Sequence, residues 1–277
     1  MQTWRLIWDG FNDGFYNMAV DEAIASAVEK GISPPTLRFY GWKSPTLSIG
    51  YSQKIDKKID IAYCKKNGID IVLRPTGGRA VLHDKEVTYS IISPRDNQLF
   101  PDNISGTYKA ISEALAKGLS FLGIDAISVN LSSAFRIPHS AFQNPFCFAT
   151  TFQYEIVVNG KKLIGSAQRR FKKSFLQHGS IPLENYHERL ALCLSFGEEN
   201  KSKRFITMLN KKSISLNELN GRVYSYDEVL SAIIKGFENI FKISFEVSPI
   251  TEYELNLSKK FVKRKKSNLK GIFKQDI

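Results

Sequence analysis

A segment with two adjacent glycines limits the possible structure of this chain more than any other sequence feature. Residues 74–83 read Arg-Pro-Thr-Gly-Gly-Arg-Ala-Val-Leu-His and directly follow the apolar run 69–73. Paired glycines permit positive φ and allow bare backbone N–H groups to approach another molecule closely. The pattern predicts a strand, a turn and a second strand that begins at Ala80. An ordinary hairpin turn with surface arginines is the alternative, because glycine marks turns in many proteins.

The composition is typical of a globular protein. The chain has 277 residues, of which 43% are hydrophobic and 24% charged. It has no apolar run of 18 residues and no basic start followed by an apolar segment, so we predict neither a transmembrane helix nor a signal peptide. Its three cysteines are far apart and form no metal-ligand spacing with histidine, so we expect a reducing cytoplasm, no disulfide framework and no metal.

The net charge of +12 indicates an acidic partner, which could be a nucleic acid or a protein. Part of this charge lies near the end of the chain, where eight lysines and arginines occur between 259 and 274. We expect residues from about 258 to 277 to form a solvated, partly disordered basic tail. Nucleic-acid binding is not expected, because aromatic residues are not interleaved with the basic ones and no helix-turn-helix or RNA-binding signature is present.

The periodicity predicts an α+β fold, with mixed or antiparallel sheets flanked by helices, in a single domain that spans 1–277. Asn159-Gly160 is the strongest short hairpin signal. Predicted strands cover 3–8, 37–42, 47–51, 69–73, 87–93, 126–129, 152–158, 162–168 and 174–181. Predicted helices cover 18–30 with an Asn17 cap, 59–66, 108–122 and 226–241.

Cys147 is the candidate nucleophile, because it lies in a loop without any periodic pattern. Cys64 and Cys193 lie in helical runs and are predicted to be inert core residues. A nucleophilic cysteine needs a nearby cation that lowers the thiol pKa from about 8.5. Spacing alone leaves this cation open among Lys161, Lys162, His83 and His178.

Three blocks of sequence resemble the lipoate/octanoate transferase and ligase family, which shares its fold with the biotin protein ligases. They are 74–83, the run Gly-Lys-Lys-Leu-Ile-Gly-Ser-Ala-Gln-Arg at 160–169, and Leu-Gln-His-Gly-Ser at 176–180. Residues 21–22 and 37–40 also resemble the N-terminal pattern of the family. The resemblance covers nearly the whole chain up to the basic end, and it implies a catalytic core of the biotin/lipoate ligase type at about 30–245.

Within this family, the spacing from Cys147 to Lys162 resembles that of octanoyltransferases of the LipM type. The resemblance implies that Cys147 carries the acyl chain as a thioester and that Lys162 lowers its pKa. Lys161 is one residue out of register and would point to the opposite strand face. The resemblance also implies a set of substrate-binding residues: Arg74, Gly77, Gly78, Arg79, Ala80, His83, Gly165, Ser166, Ala167, Gln168 and His178.

The implied function is transfer of octanoate from octanoyl-acyl carrier protein to a lysine of a lipoyl-carrier protein, without a cofactor. The acceptor would be the glycine cleavage H protein or an E2 lipoyl domain, and both partners resemble small acidic domains. Three alternatives remain. They are an ATP-dependent lipoate–protein ligase, for which the chain lacks room for the usual accessory domain after 245; an octanoyl amidotransferase between carrier proteins, disfavoured by His83; and a basic nucleic-acid-binding regulator.

Overall fold

The computed structural model describes residues 1–53, 59–129 and 155–275. Its strands are β1 (Thr3–Asn12), β2 (Thr36–Trp42), β3 (Thr46–Ile49), β4 (Asp70–Leu73), β5 (Val81–His83), β6 (Glu86–Pro94), β7 (Ile127–Val129), β8 (Glu155–Val158), β9 (Lys161–Arg170), β10 (Ser174–Pro182) and β11 (Ser244–Val247). Its helices are α1 (Gly14–Glu29), α2 (Ile61–Lys66), α3 (Ile104–Ser120), α4 (His187–Leu192), α5 (Glu199–Lys212), α6 (Tyr226–Phe241) and α7 (Glu252–Gln275), with a short 3₁₀ turn at Leu216–Glu218. Within these ranges, none of the helices combines the length and apolar character needed to cross a bilayer.

Two sheets organise the described part of the chain. The larger sheet has eight strands in the order β11-β1-β2-β6-β10-β9-β8-β7, and the smaller has three in the order β4-β3-β5. β1 runs parallel to both of its neighbours, whereas β2, β6, β10 and β9 pair antiparallel. The prediction of an α+β fold with mixed sheets flanked by helices is confirmed.

The central strands of the large sheet bury different chemistry on their two faces. On β2, Leu37 and Phe39 enter the main apolar core that α3 and α6 cover. Arg38 and Tyr40 point to the opposite face, where both bind Asp21 of α1. Successive side chains of a strand point to opposite faces, which explains this division. The polar face carries the side chains that surround the glycine segment.

Helix α1 begins four residues earlier than the sequence predicts. Asp13 is its cap and accepts a hydrogen bond from the Tyr16 backbone. Asn17, the predicted cap, lies inside the helix and donates to the carbonyl oxygen of Gly41 at 3.0 Å. Asparagine bonds backbone groups both at caps and elsewhere, so its position in the sequence does not distinguish these two roles.

The hairpin predicted at Asn159-Gly160 is confirmed. Both residues have positive φ, 51° and 74°, as a two-residue type I′ turn requires. The turn joins β8 to β9 and so determines which face of the sheet Lys162 occupies. The strand predicted from 152 is described from Glu155, and Cys147 lies outside the described residues.

The prediction of a disordered basic tail is wrong for the residues that the structure describes. Residues 252–275 form α7, which packs along α1. Glu254 is fully buried and accepts two hydrogen bonds from Arg5, at 2.6 and 2.8 Å. The buried positions 254, 258, 265 and 269 recur at helical spacing, but two of them are charged. Because half of these buried positions are charged, apolar periodicity does not indicate the packed face of this helix.

Candidate active site

Hydrogen bonds from the Arg74 side chain hold the glycine segment in place. Its buried guanidinium donates to the carbonyl oxygens of Gly77 and Arg79, each at 2.7 Å, and of Ser48 at 3.0 Å. Backbone carbonyls that leave a strand need partners when they are buried, and a guanidinium offers five donors in one plane. Arg74 therefore ties the turn (residues 74–79, here the glycine loop) to strand β3.

The two glycines of the loop differ in what they permit. Gly78 has a φ of +90°, and a Cβ there would lie 2.9 Å from a guanidinium nitrogen of Arg74. Gly77 has an ordinary φ, and a Cβ there would meet no atom within 4 Å. Gly50, which no sequence pattern singles out, is needed because a Cβ there would lie 1.9 Å from the Gly78 carbonyl oxygen. Nothing local to Gly50 signals this contact, since the loop is distant in sequence.

His83 joins a buried carboxylate to the strand beneath the loop. Its Nδ1 lies 2.8 Å from Glu86, its Nε2 lies 2.7 Å from the Ser48 hydroxyl, and its ring stacks on Trp42 at 4.2 Å. Burial alone would raise the pKa of Glu86, but the His83 charge and hydrogen bonds from His83, Ser180 and Thr88 hold it below its ordinary value. An ionised carboxylate only accepts, so Nδ1 donates to Glu86.

His178 makes the matching connection on β10. Its Nε2 lies 2.6 Å from the Thr76 hydroxyl in the glycine loop, and its Nδ1 lies 3.2 Å from Asp21. Burial alone would raise the pKa of Asp21, but the Arg38 guanidinium and His178 hold it below its ordinary value. Burial lowers the pKa of His178. The neutral imidazole therefore donates to Asp21 and accepts from Thr76.

A narrow cavity opens between the glycine loop and strands β9 and β10. Met18, Tyr40 and Val81 supply apolar wall. Six of the predicted substrate-binding residues line it, and they come from all three family blocks: Arg74, His83, Gly165, Ser166, Ala167 and His178. Segments more than eighty residues apart in sequence thus meet at one cavity, which we name the acyl cavity after the ligand that the family resemblance implies.

The other five predicted positions do not line the acyl cavity. Gly77, Gly78 and Arg79 form the loop itself, and the Arg79 carbonyl is held by Arg74. Ala80 is buried in the core beneath the small sheet. Gln168 donates to Gln177 on the neighbouring strand at 3.0 Å.

Tyr89 and Gly179 belong to the same site and were not predicted. The Tyr89 hydroxyl lies 2.7 Å from the Ser166 hydroxyl, and burial raises the pKa of Tyr89 to about 12. This phenol is therefore protonated at neutral pH. A Cβ at Gly179 would lie 2.5 Å from the Tyr89 ring and 2.8 Å from the Ser166 hydroxyl. The third block contained the signal for Gly179, but only the fold shows what its missing side chain makes room for.

Lys162 and Lys161 have the opposite orientations that their spacing predicts. Lys162 is buried, and its Nζ donates to Glu155 at 2.5 Å. The Lys161 side chain instead reaches the surface, where its Nζ donates to the carbonyl oxygen of Asn210 at 2.9 Å. The pairing of Lys162 with Cys147 remains a prediction, because Cys147 lies outside the described residues.

No residue of the three family blocks lines a second cleft, which lies around His187. It lies among α2, α4 and α5 and is lined by polar residues that include Tyr63 and Asn210. His187 is held there by Asn210 at 2.7 Å and by Ser213 at 2.8 Å. Among the described residues, no group of three or more His, Cys, Asp or Glu side chains is placed to hold a metal ion. The acyl cavity is therefore the candidate active site.

The two loop glycines should respond differently to alanine. Gly78→Ala should lower the free energy of unfolding by roughly 1–2 kcal/mol, because the residue has left-handed backbone geometry and its Cβ would crowd Arg74. Gly77→Ala, the matched control, should leave it within about 0.5 kcal/mol of the wild type. Urea unfolding measures both. Equal losses of stability in the two variants would contradict this view of the loop.

Comparison with known proteins identifies the family of this chain. The family model for the lipoyl protein ligase A/B catalytic domain matches residues 13–238. The octanoyltransferase LipM of Geobacillus kaustophilus is 40% identical over 91% of this chain and 91% of its own length. That of Clostridioides difficile is 40% identical over 96% of this chain and 97% of its own.

Solved structures lead to the same family. A bipartite lipoate protein ligase from Thermoplasma acidophilum, solved with its E2 lipoyl domain as part of an archaeal lipoylation system, superposes with a TM-score of 0.78. It is 25% identical and covers 95% of this chain and 93% of its own. A lipoate-protein ligase A bound with ATP gives 0.73 at 26% identity, over 95% and 94% of the two chains. The resemblance seen in the three blocks is confirmed, and the chain belongs to the lipoyl protein ligase A/B catalytic domain family.

Proposed function

We propose that this protein is an octanoyltransferase that moves octanoate from octanoyl-acyl carrier protein to a lysine of a lipoyl-carrier protein. The observation that carries the proposal is the acyl cavity, where the three family blocks meet between the braced glycine loop and β9–β10. The LipM relatives, about 40% identical over nearly their whole length, support octanoyl transfer rather than another reaction of the family.

The proposed reaction has two acyl-transfer steps. The Cys147 thiolate attacks the thioester carbonyl of the donor, and the tetrahedral intermediate collapses to an octanoyl-enzyme thioester and the free carrier thiol. The neutral ε-amine of the acceptor lysine then attacks this thioester, forms the amide and releases Cys147. The donor is already an activated thioester, so neither step needs ATP. Covalent catalysis of this kind divides one transfer into two easier ones.

We assign to the glycine loop the stabilisation of the negative oxygen that forms in both steps. Arg74 draws the loop carbonyls toward its guanidinium. The amides of Gly77 and Gly78 belong to this loop, and we propose them as donors to that oxygen. Preorganised backbone donors of this type stabilise an oxyanion without reorganisation during the reaction.

Lys162 is the cation that we assign to the Cys147 thiol. Its ammonium is buried, and Glu155 partners it at 2.5 Å. A carboxylate next to a buried lysine favours the charged form, which is the form that stabilises a thiolate. Lys161 cannot take this role, because its side chain lies at the surface on Asn210.

The acyl-enzyme is the most direct test of the proposed function. Octanoyl-acyl carrier protein without ATP should add one octanoyl group to the wild-type enzyme, and Cys147→Ala should gain none. Intact-protein mass spectrometry measures the product, and Cys193→Ala is a control with an unrelated buried thiol. Normal octanoyl transfer by Cys147→Ala would contradict the proposal.

The same assay weighs the ligase alternative, which the ATP-bound structural neighbour favours. Free octanoate with Mg-ATP replaces the carrier-bound donor. Efficient modification of an acceptor under those conditions would support a lipoate–protein ligase and not a transferase. The choice of acceptor, between the H protein and an E2 lipoyl domain, and the cytoplasmic location stay predictions.

The two neighbouring lysines should differ in their effect on the pKa of the Cys147 thiol. Lys162→Ala should shift the pH dependence of Cys147 alkylation by iodoacetamide to higher pH, because the thiolate loses its cation. Lys161→Ala, with the same side chain removed one residue away, should leave the profile unchanged. Equal shifts in both variants would show that the register of the thiol and its lysine is wrong.

A further inference from the structure

A basic cleft adjoins the acyl cavity at the glycine loop. Its walls come from α7 and from the turns after β3 and β4, and its defining residues are Glu22, Tyr51, Arg74, Arg169, Arg264 and Lys265. Arg74 lines both this cleft and the acyl cavity. The two spaces therefore share the Arg74 side chain as a wall, and an occupant of the cleft lies near the proposed site of acyl transfer.

The charges of the cleft are held in place by the fold. Four cations line it against a single carboxylate, Glu22, which pairs with Arg264 at 2.5 Å and with Lys265 at 2.9 Å. The Arg169 guanidinium lies 4.5 Å from the centre of the Tyr51 ring and donates to the carbonyl oxygen of Pro75 at 3.0 Å. Side chains already fixed by such partners lose little rotational freedom when an anion binds.

The side chains of the cleft differ in solvent exposure between its mouth and its inner wall. The Lys265 side chain is 8% exposed and also reaches the carbonyl oxygen of Leu73, so it forms part of the inner wall. Arg264 precedes it on α7 and is 51% exposed, at the mouth. An anion that enters the cleft therefore meets an exposed guanidinium edge first and a low-dielectric, positive interior behind it, where charge interactions are stronger than in bulk water.

We propose that the basic cleft binds the phosphodiester of the phosphopantetheine arm that carries the octanoyl group. This inference rests on the proposed function, because it assumes a carrier-bound thioester donor. A phosphodiester has one negative charge and acceptor oxygens that match guanidinium donors. With the phosphate on Arg264 and its neighbours, the arm would pass Arg74 and deliver its thioester to the acyl cavity. The basic end of the sequence thus acquires a role in donor recognition.

The charge of the cleft favours the donor over the acceptor. The acceptor must bring a lysine to the acyl-enzyme, and a cationic side chain is repelled by a cleft that carries three more positive than negative groups. The donor instead brings an anion on a long arm. The acidic surface of either carrier can be steered by the wider positive field of the enzyme, but that attraction does not select a phosphate.

Three octanoyl thioesters distinguish the phosphate group from the rest of the donor. They are octanoyl-acyl carrier protein, in which the phosphate is a diester, octanoyl-4′-phosphopantetheine, in which it is a monoester, and octanoyl-pantetheine, which lacks it. Arg264→Gln should lower kcat/KM for enzyme acylation about tenfold with the two phosphate-bearing donors, as expected for loss of one charge-assisted hydrogen bond, and should not change it with octanoyl-pantetheine. Lys235→Gln removes the same charge from the exposed side of α6, on the other face of the sheet, and should change none of the three.

Binding of unacylated 4′-phosphopantetheine, measured by calorimetry, separates this inference from the catalytic proposal. Arg264→Gln should weaken that binding about tenfold, whereas Cys147→Ala should bind as the wild type does even though it cannot be acylated. Arg169→Gln provides a second variant in the same cleft. Equal loss with octanoyl-pantetheine would assign Arg264 a structural role and overturn the proposal. Loss confined to intact acyl carrier protein, or to the KM of the acceptor, would assign the cleft to a protein surface and equally overturn it.

Discussion

The hydrogen bonds between the Arg74 guanidinium and the backbone carbonyls around it hold the candidate site together. One buried cation ties Gly77 and Arg79 of the loop to Ser48 of β3. Hydrogen bonds to a charged donor contribute roughly 1.5–3 kcal/mol each, so the loop is fixed far more firmly than a glycine-rich turn would be alone. Gly78 adopts its positive φ in this loop without the steric cost that a Cβ would bring. The same guanidinium forms the boundary between the acyl cavity and the basic cleft, which gives one interaction both a structural and an organising role.

A buried polar layer supports this brace on the α1 face of the sheet. His83 and His178 each join an ionised carboxylate to a hydroxyl group at the loop or just beneath it. Such networks are costly when one partner is missing, but they define a single geometry when every member is paired. The opposite face of the same sheet is an ordinary apolar core. The sheet therefore separates an apolar face, which drives folding, from a polar face that holds the glycine loop and its neighbouring donors in fixed positions.

Local chemistry predicted much of this fold. The Asn159-Gly160 turn and the bounds of α6 follow from turn preferences and from a capping box above an apolar stripe, and both are as predicted. The three family blocks contain most of the residues that line the acyl cavity. Contacts between residues distant in sequence could not be predicted, because no local pattern shows that Arg74 binds Ser48 or that Gly50 faces the loop. Helix α7 was missed for the same reason, since its buried face is charged and its stability depends on Arg5 and Glu22, more than two hundred residues away.

The central claim is that the octanoyl group occupies the cavity between the braced glycine loop and β9–β10. Hydrogen–deuterium exchange of the wild-type enzyme, with and without octanoyl-pantetheine, tests it most directly, because the method reports backbone amides in every part of the chain. We predict slower exchange at 76–80 and 165–168 when the octanoyl group is present, with no change in α4 and α5 around His187. Protection centred on the His187 cleft, with none at the glycine loop, would contradict the claim.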